Sequence, residues 1–450
     1  MRRVVCLIAA ALFAVPLAAC SGSDSTNGSG NVTLNYWLWD SAQQPQYQQC
    51  ADDFTKANPN IKIKITQYGW SDYWNALTTS FVSDTAPDVF VSHLSYYPQF
   101  AQRNQLLALD DYIGKDKLDL NVYQPGLADL WKSKDGKQYG LPKDFDTVAI
   151  FYNTAKLREA GITAEQMQNL TWNPTDGGSY EKIIARLTVD AKGRHGDEPG
   201  FDKNHVVTYG LGLNGSGGAF GQTEWSEYAF STGWQHAQGP WATAFNFNDQ
   251  RFKDTIAWWR SLTEKGYMPG LEKVGPGGKS VVAQMDAYGA GKYAMVTEGS
   301  WNTKSYWALK GVKSGIAPTP IGPSGKRASM INGLADNIAA GTKHPEAAWQ
   351  WVKYLASADC QLNIVAKEGI VFPAMVQAAT PAKDAFARSG IDVGPFLIHP
   401  QDKTTHLAPI ADHWTDIQAA MTEAMESYLL FKTDISAIDK ANDKINALFR

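Results

Sequence analysis

Over residues 31–39 (NVTLNYWLW) apolar and polar positions alternate, which predicts a strand. Tyr47, Cys50, Ala51 and Phe54 then recur at three- and four-residue spacing, one face of a helix that Pro45 suits at its start and Asn58-Pro59-Asn60 closes. Ile61, Ile63 and Ile65 alternate with Lys62 and Lys64, a strand with one wet face. Trp74, Leu77 and Phe81 mark a second helix over 71–81, and PDVFV at 87–91 reads as a buried strand. The order β-α-β-α-β predicts a parallel sheet with helices on its faces. Ligands of such sheets gather beyond the carboxyl ends of the strands. That rule places Trp39 and Asp40 at a candidate site after the first strand, and Ser92, His93 and Ser95 after the third. A lone histidine is more often structural, so His93 carries both readings.

Further along, Gly140 and Pro142 predict a turn, Asp144 and Asp146 flank Phe145, and residues 147–152 (TVAIFY) form an apolar strand. Two carboxylates at the mouth of a buried strand either close a solvated turn or accept hydrogen bonds from a ligand. Tyr180, Ile183, Ile184 and Leu187 share a helical face, residues 206–213 read as a strand, and the glycine-rich stretch 213–221 after it lacks the Lys-Ser/Thr of a phosphate loop. That stretch reads as a flexible cleft edge. Trp225, Tyr228 and Trp234 sit among Ser, Gly and Gln, where aromatics are less often core, and Trp225 is a candidate stacking platform. A helix over 251–264 buries Phe252, Ile256 and Trp259; a strand over 291–296 leads to Glu298 and Trp301; Ile435, Ile438, Ile445 and Leu448 belong to an amphipathic tail helix.

The start of the chain is of another kind. Arg2 and Arg3 precede an apolar run over 4–17, too short to span a bilayer, which predicts a cleaved export signal over 1–19. Leu17-Ala18-Ala19-Cys20 resembles the bacterial lipobox, which implies lipid on Cys20 and a flexible tether over 20–30. Loss of the two arginines leaves the mature chain more acidic than the −4 of the full sequence. No basic stripe suggests nucleic acid, and no later apolar stretch is long enough to cross a membrane. Cys50 and Cys360 remain, either as a disulfide or as two buried thiols. About 420 mature residues exceed what one core usually holds, so two lobes are expected.

The 16 Trp and 19 Tyr change the picture most. Sugar rings have apolar faces edged with hydroxyls, and indole faces with Asp and Asn acceptors are the chemistry that grips them. Asp190, Asp197, Glu198 and Asp202 offer oxygens for calcium but not in the spacing of a calcium loop, which favours a solvated insertion.

Trp37-x-Trp39, Phe54-x-x-x-Asn58-Pro59-x-Ile61-x-Ile63, Pro87-Asp88-Val89, Leu106-Leu107-x-Leu109-Asp110, Tyr139-Gly140-Leu141-Pro142 and Tyr152-Asn153 resemble, in order and spacing, the extracellular solute-binding proteins of family 1. These are the maltose-binding-protein-like receptors of ATP-driven sugar importers. Residues 170–174 (LTWNP), 291–296 (GKYAMV), 344–349 (HPEAAW) and 369–374 (GIVFPA) extend the likeness over essentially the whole mature chain.

The resemblance implies an α/β, two-lobed periplasmic-binding-protein fold of type II with a hinge, lobe 1 being residues 31–146 and 332–395 and lobe 2 residues 147–331 and 396–450. It implies a monomer without cofactor or metal that is tethered to the outer face of the cytoplasmic membrane, captures a carbohydrate and delivers it to the transmembrane subunits of an ABC importer. Trp39, Trp225, Trp301 and Trp414 would cover ring faces, although a core role fits Trp414 nearly as well. Asp40, Asp146 and Asn332 would bind hydroxyls, with Asp144 less placed by the resemblance, and Ser92, His93 and Glu298 complete the candidate set. Two alternatives stand beside it: a secreted glycoside hydrolase working with Asp146 and Glu298, which would need two carboxyls facing each other across the bond, and the same fold serving a non-sugar solute.

Overall fold

The alternations that predict strands near the N-terminus become three parallel strands, β1 (Val32–Leu38), β2 (Ile61–Gln67) and β3 (Val89–His93), with β1 between the other two. In the computed structural model, which describes residues 30–274 and 283–450, they belong to a first sheet with β4 (Gly140–Asp146), and the chain then enters a second sheet at β5 (Val148–Asn153). β6 (Val189–Asp190), β7 (Val206–Leu211), β8 (Tyr293–Gly299) and β9 (Ser314–Ala317) join β5 in the order β6-β7-β8-β5-β9. β10 (Ser329–Ile338) returns to the first sheet, and β11 (Phe372–Pro373) and β12 (Thr405–Leu407) complete it. The export signal 1–19, Cys20 and the tether up to residue 29 lie outside the described residues.

The first sheet is not wholly parallel. β10 inserts antiparallel between β3 and β4 because it arrives from the second lobe, against the direction of the strands laid down earlier. Its first residues, 329–331, pair with β12, and residues 332–338 pair with β4 and β3, so one strand runs from lobe to lobe. Only Thr147 separates β4 from β5. Its hydroxyl donates to the Phe396 carbonyl at 2.9 Å, while the Val148 N–H donates to Ser329 Oγ at 2.9 Å. Three chain crossings therefore meet at one buried hydrogen-bonded point, the geometry of a hinge.

Gly140 and Pro142, expected to make a turn, lie in the first half of a fully buried strand. Gly140 is there for space: a Cβ would lie 2.9 Å from Ala335 Cβ and 3.1 Å from the Trp131 ring. Pro142 is tolerated beside a β-bulge, since Leu334 pairs with Asp144 and Ala335 with Pro142, leaving Lys143 as the extra residue. The bulge sends the Lys143 side chain into the lobe beneath the sheet, where Nζ donates to Tyr36 Oη at 2.8 Å and meets Asp336 Oδ1 at 3.3 Å.

The first lobe's core gathers Tyr36, Tyr47, Phe54, Trp349, Trp351 and Phe386. Cys50 and Cys360 are disulfide-bonded within it. Helices Trp414–Leu429 and Ser436–Ala447 pack into the second lobe with Trp172, Trp234 and Trp259. In the insertion over 190–205, Asp190 accepts backbone N–H groups from Lys192, Arg194 and Asp202 and pairs with the Arg194 guanidinium at 2.8 Å. Glu198 pairs with Arg186 and Asp202 with His205. These carboxylates organise a loop, and among the described residues no group of three or more His, Cys, Asp or Glu side chains is gathered to hold a metal.

Candidate functional site

A cleft of about 1270 Å³ opens where the strand ends of both sheets face each other. The first lobe contributes Trp39 and Asp40 after β1, Trp70 and Trp74 from helix Trp70–Val82, His93 at the end of β3 and Tyr96 beyond it. Asp144, Phe145 and Asp146 of β4 and Asn332 of β10 make the floor. From the second lobe come Asn214–Gly218, Phe220, Gln222 and Glu224, then Trp301 with Asn302, and Trp414 with Gln418.

The first-lobe wall is aromatic. Trp39 meets Trp70 edge-on at 5.1 Å and Trp74 at 5.4 Å, and Trp74 stacks flat on Tyr96 at 3.9 Å. Trp70 remains 40% exposed, although an unliganded surface would gain by covering so large an indole. Opposite, Trp301 is half-buried and folded over Gly299, so close that a Cβ there would meet its ring at 1.9 Å. Trp414 is buried yet lines the cleft, edge-on to Tyr96 at 6.5 Å and Phe220 at 6.2 Å.

The polar groups differ in what they already hold. Asp40 accepts from the Ala42 N–H at 2.8 Å and from Gln43 Nε2 at 2.7 Å, so it holds the turn that leads into the helix Gln44–Ala57. Asp146 accepts from the side-chain amide of Gln222, across the cleft, and from Asn332 Nδ2 at 3.2 Å; burial still pushes its carboxyl up to about 7. Asp144 is equally deep, but its Oδ2 has no hydrogen-bond partner, and burial raises its pKa well above the usual range. Asn332 Oδ1 is likewise unpartnered. His93 Nδ1 accepts from the Ser95 N–H at 3.1 Å, which leaves the proton on Nε2, and burial lowers the ring to about 3.

The lobes also touch. Lys134 pairs with Asp412, Thr415 Oγ1 donates to Gln99 Oε1 at 2.8 Å, and the His93 ring lies 4.9 Å from Phe220. Together with the Gln222 to Asp146 bond these describe a closed cleft.

Of the candidates, Trp39, Asp40, His93, Asp144, Asp146, Trp301, Asn332 and Trp414 line this one cleft. Three do not. Ser92 is buried on the opposite face of β3 from His93, as strand alternation requires. Trp225 is core: its Nε1 donates to the Ser216 carbonyl at 3.2 Å and its ring packs edge-on to Phe252 at 5.0 Å, and Tyr228 and Trp234 are buried with it. The glycine-rich stretch does edge the cleft through Asn214–Gly218, but part of it is packed against Trp225, since a Cβ on Gly221 would come within 2.2 Å of its indole. Glu298 turns inward, where its Oε1 accepts from the Gly299 N–H at 2.7 Å and its Oε2 from Tyr306 Oη at 3.4 Å. Glu298 is therefore not among the residues that line the cleft beside Asp146. Trp70, Trp74, Tyr96, Phe220, Gln222 and Glu224 line the cleft without having been singled out for it.

In and behind the second-lobe wall, burial holds the cleft-lining Glu224 and the inward Glu298 up at about 7 and Glu227 at about 8, and neither Glu227 oxygen has a hydrogen-bond partner. A carboxyl raised on folding contributes stability below its unfolded pKa and loses it as pH rises through the folded value. Glu227→Gln is therefore expected to raise Tm by roughly 3–6 °C at pH 8.5, on the order of 1–2 kcal/mol, and to leave it nearly unchanged at pH 5. Thermal unfolding across pH checks this; equal shifts at both pH values would contradict it.

Residues 49–389 match the family model described as bacterial extracellular solute-binding protein. The maltodextrin-binding protein MdxE of Bacillus subtilis is 24% identical over 368 residues, covering 79% of this chain and 77% of that protein. Among solved structures, an ABC substrate-binding protein from Listeria monocytogenes in complex with cycloalternan superposes with a TM-score of 0.78 at 20% identity, over 93% of this chain and 99% of that one. The GacH receptor of Streptomyces glaucescens, solved unliganded and with acarbose, gives a TM-score of 0.73 at 20% identity, over 93% and 98% of the two chains.

Proposed function

Because the chain belongs to the bacterial extracellular solute-binding proteins, an extracytoplasmic family of receptors, we propose that it captures a carbohydrate between its lobes and hands it to an ABC-type importer. The observation that carries this reading is the cleft itself, an indole wall above a floor of carboxylate and amide groups. Its volume of about 1270 Å³ exceeds the roughly 300–1,000 Å³ of a drug-sized pocket, which favours an oligosaccharide over a single ring. Relatives that bind maltodextrin and cycloalternan support the same class.

Lobe 1 comprises 31–146 and 332–395 and lobe 2 comprises 147–331 and 396–450, with the lipid on Cys20 and the protein working as a monomer on the outer face of the cytoplasmic membrane. A sugar touching both walls binds the closed state better than the open one, and that difference in affinity is what shifts the hinge and presents the closed form to the importer. Nothing in this cycle requires a bond to break.

Thermal-shift measurement over mono- and oligosaccharides tests the proposal, since a ligand that binds only the folded state raises Tm. Recovery of the best hit intact after incubation is expected; release of reducing sugar at catalytic rates would overturn the receptor reading. Trp301→Ala is expected to weaken the best hit by roughly tenfold or more, and an unchanged shift would move the site elsewhere.

A further inference from the structure

We propose that the solute carries a positively charged nitrogen, as an amine-bearing sugar does; this rests on the carbohydrate reading and narrows its class. Asp40, Asp72, Asp144, Asp146 and Glu224 line the cleft, and Glu423 and Glu426 add carboxylates from helix Trp414–Leu429. No lysine or arginine among the described residues lines it. The cations nearby are committed: Lys143 to Tyr36 and Asp336 beneath the floor, Lys134 to Asp412, and Lys444 to Glu423.

A second observation is independent of this charge imbalance. Asp144 is 2% exposed and lines the cleft, yet its Oδ2 has no donor, and the Asn332 Oδ1 has none either. Unpartnered buried acceptors are costly and ask for donors from whatever fills the space. A sugar hydroxyl brings one donor and no charge, whereas an ammonium brings three donors and the charge that a buried carboxylate lacks. The indoles of Trp39, Trp70 and Trp74 agree with this, because the electron-rich faces of aromatic rings attract cations, most strongly where water is excluded.

Asp144 is faced by Lys143 and Asp146 along its own strand, by Asp336 from β10, by Asp40 beyond β1 and by Tyr47 from helix Gln44–Ala57. Burial holds its carboxyl protonated well above the usual range. An ammonium arriving there displaces that proton, so binding of the amine form releases protons to the buffer while binding of a neutral sugar does not.

Calorimetry on the mature protein with matched disaccharides tests this: glucosamine, N-acetylglucosamine and glucose disaccharides of one linkage, and the galacto and manno counterparts. In at least one series the amine member is expected to bind about tenfold tighter or more than its acetylated and hydroxyl counterparts, with a heat that varies with the ionisation enthalpy of the buffer. Asp144→Asn is expected to remove that advantage. Should the variant not fold, the unmutated protein still decides, since the advantage must shrink between about 20 mM and 500 mM salt. An acetylated or hydroxyl member binding as tightly as the amine overturns the charge inference and leaves the carbohydrate reading standing; a panel in which no sugar binds overturns both.

Discussion

Replacing Lys143 by methionine is expected to destabilise the protein by about 3–5 kcal/mol and lower Tm by on the order of 10 °C. The ammonium is 1% exposed, 2.8 Å from Tyr36 Oη, 3.3 Å from Asp336 Oδ1 and 3.6 Å above the Tyr47 ring. Methionine fills similar volume but leaves Asp336 buried with one donor, the Tyr36 hydroxyl at 2.7 Å. Burial already raises the pKa of Asp336, and Lys143 opposes that rise. Without the lysine the folded-state value climbs further, so Asp336 takes up a proton on folding and the deficit grows as pH rises above the unfolded carboxylate range. Denaturant melts at pH 5 and pH 8 should show the larger loss at pH 8. Adding Asp336→Asn should recover part of it, because the two residues act as one unit. A Tm within about 2 °C of the parent at both pH values would show that the pair is not a stabilising element.

The same bulge explains where sequence reading stopped. Periodicity located β1, β2 and the two helices that follow them, because each has one buried face and declares it through spacing of two or of three and four, while β3, buried throughout, shows as a continuous apolar run. Gly140 and Pro142 declare only local preference, which reads as a turn. Their reason for being in a strand is Ala335 and Trp131 pressing on one and a register shift beside the other, contacts made by residues far along the chain. Trp225 is similar: Gly217 and Gly221 look loose in sequence but lie against its indole. Trp70 was within reach, because it follows the carboxyl end of β2 as Trp39 follows that of β1. Gln222 was not, since nothing local marks a glutamine that reaches Asp146 from the other lobe. The residues alone show two nearby carboxylates, and only the family resemblance sets Asp146 above Asp144. Which one already has its donors depends on partners far off in sequence, Gln222 and Asn332.

Loss of the Cys50–Cys360 disulfide is the other change expected to cost most, about 5 kcal/mol on the chain-entropy account and on the order of 10 °C in Tm. The bridge spans 310 residues, and the loop it closes contains the whole of the second sheet. It joins helix Gln44–Ala57 to Ala358–Cys360, one from the chain before it leaves the first lobe and one from the chain after it returns. With the bridge intact, those two segments stay together even when the second lobe opens. Without it, they are held by core packing, Phe54 against Trp351 at 5.2 Å, and by β10 and the hinge crossings, and the first lobe bears the closure of that loop whenever the second lobe is unfolded. Neither cysteine lines the cleft, so the Kd for a bound sugar, measured well below both melting transitions, should change by no more than about twofold. Cys50→Ser with Cys360→Ser should therefore separate stability from binding. A double variant that melts with the parent, after a thiol assay has found no free thiol in the parent, would show that packing of the first-lobe core already holds the two segments together.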